Sequence, residues 1–181
     1  MQRRRSKSVE LSERKIPTTP EQMRARTFQR AVKLLATRSR SIAELRERLL
    51  ENRGANKTIV ETVIARLREY GYLDDERFAF GYASLKVSQQ PIGRRRLKQS
   101  LAIKKVDPAV ADEALDLVFA ETSEEELINR AIEKRVRLRG HPKTRGEAKS
   151  LFDHLLRQGF PFEMVSEKVR AASQTALDEV E

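Results

Sequence analysis

The stretch Tyr70-Gly71-Tyr72-Leu73-Asp74-Asp75-Glu76-Arg77-Phe78-Ala79 predicts the end of one helix followed at once by the start of another. Gly71 stands where a residue with left-handed backbone geometry closes a helix, because glycine has no Cβ to clash in that conformation. The apolar contact that accompanies such a closure would join Tyr72 to Leu67, back along the ending helix. The first half of the stretch therefore predicts a firmly specified helix end.

The second half of the same stretch predicts a helix start. Asp74 is placed to accept hydrogen bonds from the backbone N–H groups of the second and third residues that follow it. Leu73 before this cap and Phe78 in the next turn have the spacing of a hydrophobic staple. An end followed so closely by a start predicts a joint that holds two helical units at a fixed angle.

The composition predicts a folded protein without disulfide bonds or membrane-spanning segments. The chain has 181 residues, 39% of them hydrophobic, which is enough for a core, and it has no cysteine. Disulfides, iron–sulfur clusters and cysteine-ligated zinc are therefore excluded. No apolar run approaches the roughly 18 residues of a membrane span, and Arg3-Arg4-Arg5 lacks the apolar segment that follows in a secretory signal. We therefore predict a cytoplasmic protein with no membrane partner.

The charge predicts a polyanionic partner. The net charge is +10 and the pI is close to 10.1. Clustered cations bind phosphates by releasing condensed counterions, and an acidic protein surface attracts them as well. Basic residues are concentrated in 3–15 and 94–105, whereas every charged residue in 112–126 is acidic. Nucleic acid or an acidic protein is therefore expected at the basic segments.

Helix signals recur three times along the chain. Each round has three apolar-striped segments that are separated by capping residues, glycine or proline. No alternating pattern typical of a strand occurs, so we predict an all-α fold. The predicted divisions are a basic disordered arm over 1–18, three-helix repeats over 19–73, 74–121 and 122–172, and a flexible tail over 173–181.

The recurrence favours a tandem repeat. The second helices of the three rounds align through leucine pairs at Leu45 and Leu49, Leu97 and Leu101, and Leu151 and Leu155. Units this small cannot bury their apolar faces alone and gain stability from their neighbours, which gives an elongated, curved array. The alternative is one helical bundle whose helices look alike. We favour the repeat because the order, the spacing and the helix breakers recur together.

Apolar spacing also predicts which face of each helix is buried. The predicted stripes include Phe28, Ala31, Val32 and Leu35, then Leu45, Leu49 and Leu50, and then Phe78, Tyr82 and Leu85. Capping boxes are predicted at Ser41 with Glu44, at Ser123 with Glu126 and at Thr144 with Glu147. Helix ends are predicted at Gly54 and Gly159, and Lys105 takes the equivalent position in the second repeat.

The sequence contains no catalytic or cofactor-binding pattern. The two histidines, His141 and His154, have no patterned carboxylate beside them, and no glycine-rich nucleotide-binding loop occurs. Asp74 and Asp75 could be considered as metal ligands, but helix capping already accounts for both. We therefore predict no enzyme activity, no cofactor and no metal site, with both histidines in surface or packing roles.

The candidate binding residues are four cations at one helix start, Arg94, Arg95, Arg96 and Lys98. At 100° per residue, the four cations lie on the part of the helix surface that is outside its apolar stripe. Cations at a helix start oppose the helix dipole, at a cost of several tenths of a kcal/mol each. Cations that are kept at a helix start despite this cost indicate contact with phosphate or with an acidic protein. The alternative is an ordinary solvated helix face.

These segments resemble the RecX family, the regulators of the RecA recombinase. The resemblance covers roughly 25–172 and is carried by the sequences SIAELRERL (41–49), GYLDDERFA (71–79) and GRRRLKQ (93–99), in the order and spacing of that family. It implies three tandem three-helix repeats, no catalysis, and a role in limiting strand exchange, ATP hydrolysis and co-protease function from the groove of the RecA filament on DNA. Lys105 and the basic arm before Thr19 depart from the family pattern.

Two functions are compatible with the sequence. The first is a monomeric regulator that binds the RecA filament and, weakly and without sequence preference, single- or double-stranded DNA. The second is a stand-alone DNA-binding regulator that uses helix-turn-helix pairs. A recognition helix presents asparagine and glutamine beside arginine, and here only Gln99 accompanies the cations, which favours the first function.

Overall fold

The computed structural model describes residues 19–52 and 55–178, and this part of the chain forms nine helices and no strand. The helices are α1 (Pro20–Thr37), α2 (Ile42–Leu50), α3 (Lys57–Glu69), α4 (Asp75–Gln89), α5 (Arg94–Ile103), α6 (Pro108–Glu121), α7 (Glu124–Arg139), α8 (Arg145–Gln158) and α9 (Phe162–Asp178). The prediction of an all-α fold is confirmed. The predicted arm over 1–18 and the helix end predicted at Gly54 lie outside the described residues.

Local capping explains where the helices begin. Thr144 and the residue three positions later form the predicted capping box, in which each side chain accepts the other's backbone N–H. Ser41 accepts the Glu44 N–H at 3.1 Å, but the Glu44 carboxylate pairs with Lys104, the residue that follows α5, at 3.0 Å. Ser123 also caps its helix alone, through the residue two positions later. The boxes predicted at these two serines are therefore single caps.

The nine helices form three tandem units. In each unit the first helix packs against the third, so that α1 contacts α3, α4 contacts α6, and α7 contacts α9. The first unit has its own hydrophobic core, which includes Leu45 and Leu67, whereas the second and third units share a larger core that includes Leu97 and Leu155. Because the first and third units contribute to different cores, the tandem arrangement is confirmed over a single bundle. We propose that the unit boundaries lie after 73 and after 121.

The buried faces differ from the prediction at three positions. The exposed fractions are 43% for Val32, 37% for Leu50 and 56% for Leu85. The buried face of α4 is formed by Ala79, Ala83 and Val87. These small side chains allow α4 to pack closely against α6, and the larger Phe78 and Tyr82 lie at the edge of the contact. Helix periodicity predicts which residues share an apolar stripe, but the packing of the neighbouring helix determines which of those residues are buried.

The last helix is longer than predicted. α9 continues to Asp178, into the segment 173–181 that we predicted as a tail. No glycine or proline follows Pro161 in the sequence to stop the helix. The Ser173 hydroxyl donates to the Val169 carbonyl at 2.9 Å, a bond within the helix itself. Residues 173–178 are therefore helical, and the flexibility predicted for 173–181 stays a prediction.

The helix end at Gly71 has the left-handed geometry that the sequence predicts, with φ +70°. The Tyr72 N–H donates to the Leu67 carbonyl and the Gly71 N–H donates to the Arg68 carbonyl, both at 2.9 Å. These are the two hydrogen bonds of a Schellman closure. The Tyr72 side chain is 67% exposed, so it is the backbone that joins Tyr72 to Leu67. The closure leaves the tyrosine ring directed at solvent.

The helix start that follows separates the two cores. Asp74 accepts the N–H groups of Glu76 and Arg77 at 2.8 and 3.0 Å. Leu73 is buried in the core of the first unit, whereas Phe78 packs against the core of the second and third units. The two residues expected to form a staple therefore serve different cores. The cap between them lies where one unit ends and the next begins.

Candidate functional site

Two of the four predicted binding cations are held by acidic side chains of neighbouring helices. The Arg94 guanidinium donates to Asp116 of α6 at 2.6 Å, and its backbone N–H donates to Glu124 of α7 at 2.8 Å. Lys98 contacts the Asp112 carboxylate of α6 at 2.7 Å. A carboxylate at a helix start is favourable to the helix dipole, so Glu124 offsets the conflict expected at this turn. Arg94 and Lys98 therefore contribute to packing between helices.

The other two cations differ from each other. Arg96 donates to the Gln158 side-chain oxygen at 2.7 Å and to the Arg157 carbonyl at 3.3 Å, at the end of α8. Arg95 is exposed and forms no ion pair with any residue between 19–52 or 55–178. Of the predicted set, Arg95 is thus available to a partner, and Arg96 is directed towards the third unit.

Four arginines from three helices lie around His154 of α8. Burial lowers the pKa of His154, and the positive charges of Arg135, Arg157, Arg96 and Arg139 lower it further. Within the described ranges, none of these arginines is paired with an acidic side chain. We call these five residues the His154 basic cluster. A neutral histidine among uncompensated cations is an arrangement that a bound anion would stabilise.

Of this cluster, only Arg96 was among the predicted binding residues. We predicted His154 as a surface or packing residue and considered Arg96 only with its neighbours in sequence. The other arginines come from the C-terminal halves of α7 and α8, some forty to sixty positions further along. The run Arg135-Val136-Arg137-Leu138-Arg139 was the available signal, because it concentrates cations at one helix end.

A contact between two glycines positions the cluster. The Gly93 N–H donates to the Gln158 carbonyl at 2.9 Å, and the Arg95 N–H donates to the Gly159 carbonyl at 3.3 Å. A Cβ atom on Gly93 would lie 2.4 Å from the Gly159 carbonyl carbon, and one on Gly159 would lie 2.4 Å from the Arg96 nitrogen. Only glycine at both positions allows the end of α8 to meet the start of α5.

The first two units meet through a similar contact. The Ser41 hydroxyl donates to the Lys104 carbonyl at 2.5 Å, which joins the start of α2 to the end of α5. The Ile42 N–H donates to the Asp75 carboxylate of α4 at 2.8 Å. Lys105 pairs with Glu47 of α2. In both joints, therefore, the second helix of one unit ends against the start of the second helix in the preceding unit.

Comparison with known proteins identifies the family. The first three-helix domain of RecX matches residues 28–67, and the second three-helix domain matches residues 74–115. The regulatory protein RecX of Chlorobium limicola is 32% identical over 147 residues, which cover 80% of this chain and 88% of that protein. This chain belongs to the RecX family. The regulatory protein RecX of Amycolatopsis mediterranei, 30% identical, aligns with 81% of this chain and 86% of its own length.

Other RecX proteins agree with this assignment. The regulatory protein RecX of Treponema pallidum is 41% identical over 111 residues, and this alignment spans 61% of the present chain and 66% of the Treponema protein. The crystal structure of RecX from Lactobacillus salivarius superposes with a TM-score of 0.73, covering 86% of this chain and 99% of that one. At 18% identity that likeness concerns the fold, and it extends through all three units.

Neither a membrane-spanning helix nor a cluster of metal ligands occurs among the described residues. No helix there combines the length and the apolar character needed to cross a membrane. No three histidine, aspartate or glutamate side chains converge there as ligands for a metal ion would. In this RecX-family chain, the exposed or unpaired cations described above are Arg95 and the arginines of the His154 basic cluster.

Proposed function

We propose that this chain is a non-catalytic regulator that binds the RecA filament on DNA and restrains its strand exchange, ATP hydrolysis and co-protease activities. Its RecX-family membership supports a regulatory role, and the RecA filament is the partner that the sequence resemblance implies. We further propose that it acts as a cytoplasmic monomer and binds DNA weakly, without sequence preference.

The observation that carries this proposal is the uncompensated positive charge between the second and third units. The His154 basic cluster contributes cations from α5, α7 and α8, and Arg95 is an exposed cation of α5 whose backbone N–H contacts Gly159 at the end of α8. Phosphates and carboxylates are the groups that such cations attract, and a filament of protein on DNA presents both. The surface depends on the Gly93–Gly159 contact, so both units are needed to form it.

The structure gives the stand-alone helix-turn-helix function less support. A recognition helix places its first turns against base edges in the major groove. Here the start of α5 is occupied by the end of α8 and by Glu124 of α7. The Arg96 guanidinium donates to the Gln158 side-chain oxygen, and the other charges around His154 are those of Arg135, Arg139 and Arg157. This environment favours phosphate or carboxylate contacts over base reading.

Suppression of RecA-driven ATP hydrolysis on single-stranded DNA tests the proposal. The variant Arg95→Ala/Arg139→Ala/Arg157→Ala removes three exposed charges and leaves the hydrogen-bonded Arg96 and Arg135 in place. We expect helical content to be unchanged and inhibition to weaken by about tenfold or more, because interface charges act together.

A charge-matched control separates the site from the net charge. Lys57, Arg130 and Arg170 are exposed cations on α3, α7 and α9, and replacing all three with alanine should leave inhibition near the parent level. Capture of each protein on RecA bound to single-stranded DNA with a non-hydrolysable nucleotide provides a second readout. Parent-level inhibition and capture by the first variant would contradict the proposed surface.

A further inference from the structure

The first unit carries an open apolar groove beside its core, and the core residue Leu67 is part of the groove lining. The groove has a volume of about 910 Å³. Its lining residues are Phe28, Val32, Leu35, Leu67, Tyr70 and Tyr72. The exposed fractions are 53% for Tyr70 and 67% for Tyr72, and Val32 adds a third exposed apolar side chain. A contiguous apolar surface of this kind marks a binding site more often than a solvated face.

The two tyrosine rings are not needed for the helix closure beside them. That closure is made by the backbone N–H groups of Gly71 and Tyr72, and any residue except proline would supply the same N–H at position 72. The rings of Tyr70 and Tyr72 lie 6.3 Å apart at an interplanar angle of 86°, so one edge meets one face. Both rings are partly exposed, so part of each ring is accessible to a planar ligand.

A fixed cation lies at the edge of the groove. The Arg66 guanidinium carbon is 5.3 Å from the Tyr70 ring centroid and 5.5 Å from that of Phe28. Arg66 Nε also donates to the Tyr70 hydroxyl at 2.9 Å, which holds the guanidinium in place. A positive charge ordered beside aromatic rings is placed to contact a phosphate while a base stacks on the neighbouring ring.

Further cations extend from both ends of the groove. Arg24 lines the adjoining surface beside Phe28 and Arg66. Arg40 and Arg77 line the surface that continues past Tyr72 on the other side. The acidic residues on these flanks are Glu21 and Asp74, and the latter already caps α4. The groove is therefore apolar and aromatic inside, with net positive charge on either side.

We propose that this groove binds single-stranded nucleic acid, with bases stacked on Tyr70 and Tyr72 and phosphates on Arg66 and the flanking arginines. Alternating positive and aromatic groups match a strand in which phosphates and unpaired bases alternate. A duplex does not fit, because its bases are already stacked. The inference does not depend on RecA binding, and it assigns the first unit a contact separate from the His154 basic cluster.

The test uses the full chain and a short oligothymidine in single-stranded form or paired with its complement. The chain has three tyrosines and no tryptophan, so its intrinsic fluorescence reports directly on tyrosine stacking. We expect the single strand to quench this fluorescence and the duplex to do so far less. The variant Tyr70→Leu/Tyr72→Leu, measured by fluorescence anisotropy of a dye-labelled oligothymidine because it lacks the reporting tyrosines, should bind the single strand at least about tenfold more weakly. Each stacked base is worth roughly five- to 150-fold in affinity. The duplex affinity of this variant should remain at the parent level.

Two controls distinguish stacking from apolar contact and from folding. Tyr70→Phe/Tyr72→Phe keeps the rings and should retain the affinity for the single strand. Leu85→Ala/Leu117→Ala removes exposed apolar side chains from α4 and α6 and should have no effect. The slope of log affinity against log salt should be similar in the parent and the leucine variant, because the phosphate contacts are kept.

Two outcomes would overturn the inference. One is parent-level binding of the single strand by the leucine variant. The other is that this variant keeps its nucleic-acid affinity but loses capture by RecA, which would make the groove a protein-docking surface. Failure of the regulator proposal is a separate result, because the variant lacking Arg95, Arg139 and Arg157 keeps both tyrosines and should still show fluorescence quenching.

Discussion

Lys105 has the backbone geometry that glycine has at the matching point of the third unit. Its φ is 58°, and that of Gly159 is 92°. A left-handed conformation costs an L-residue about 1–2 kcal/mol. Its side chain pairs with Glu47 across the joint to the first unit. The position predicted from the repeat as a helix end is thus occupied by a strained residue that also contacts its neighbour.

Lys105→Gly should therefore raise the free energy of unfolding by a few tenths to about 1 kcal/mol, because the relieved strain exceeds the loss of an exposed ion pair. Urea denaturation measures the change. Lys104→Gly is the matched control, since Lys104 also pairs across the joint, with Glu44, but has an ordinary φ of −78°. That control should destabilise the chain, and an equal loss in both variants would contradict the strain argument.

His154 gives a pH dependence with a definite sign. Its folded pKa lies below the ordinary value of 6.5, owing first to burial and then to the neighbouring arginines. As pH falls from the ordinary pKa towards the lower folded pKa, His154 is protonated in the unfolded chain before it is protonated in the folded chain. The free energy of unfolding therefore decreases. His154→Gln should flatten this decrease between about pH 7 and pH 5. Urea midpoints across that range test it, and an unchanged profile in the variant would contradict the role of His154.

Residue-level predictions succeeded where the cause is local. Gly71 and Asp74 follow from backbone sterics and from the orphan N–H groups of a helix start, both readable from a few neighbouring positions. The pKa of His154 depends on arginines from two other helices and on one more from its own. No short stretch of sequence contains that information.

At the level of elements, the contact between α5 and α8 depends on two residues without side chains. Gly93→Ala should destabilise the chain by about 1–3 kcal/mol or more, because its Cβ would meet backbone atoms that cannot move aside. Gly159→Ala should cost more, since its φ of 92° adds backbone strain. Thermal unfolding of both variants provides the measurement.

Gly81→Ala is the control for these variants. Gly81 lies within α4, and a Cβ there would have no heavy atom within 4 Å. Alanine should stabilise the chain there by roughly 0.5–1 kcal/mol through helix propensity. If Gly93→Ala also proved neutral or stabilising, the close approach of α5 and α8 would be refuted.

Helix positions were easier to predict than helix faces. Caps, prolines and glycines placed the helix limits, because each acts on its own turn. The buried face of α4 was predicted on its large side chains, yet the helix packs through alanines. The choice between these faces is made by α6, which the periodicity of α4 cannot reveal.

At the level of the whole molecule, separate cores predict separate unfolding. Leu45 is fully buried in the first core, and Leu45→Ala should cost about 2–5 kcal/mol. We expect amide hydrogen exchange to accelerate through α1–α3 while α7–α9 stay near their parent rates. Leu155→Ala, in the other core, should accelerate exchange in α4–α9. Uniform acceleration in both variants would show that the three units unfold as one.

The sequence indicated three units but not that two of them share a core. The repeat comes from local signals that recur, whereas the shared core follows from Gly93 meeting Gly159 across more than sixty positions. Gly159 was predicted only as a helix end. Its second role, as the surface on which α5 begins, has no local signature.

The two joints also give the molecule a polarity. The end of α8 meets the start of α5, and the end of α5 meets the start of α2, so both contacts point the same way along the chain. A molecule with such a direction presents different ends to any polymer that it lies on. A nucleic-acid strand has its own 5′-to-3′ direction, and only one of the two mutual orientations can satisfy the same contacts. A fluorescence quencher attached to the 5′ end of a bound strand should therefore lie beside a different unit of the protein from a quencher attached to the 3′ end.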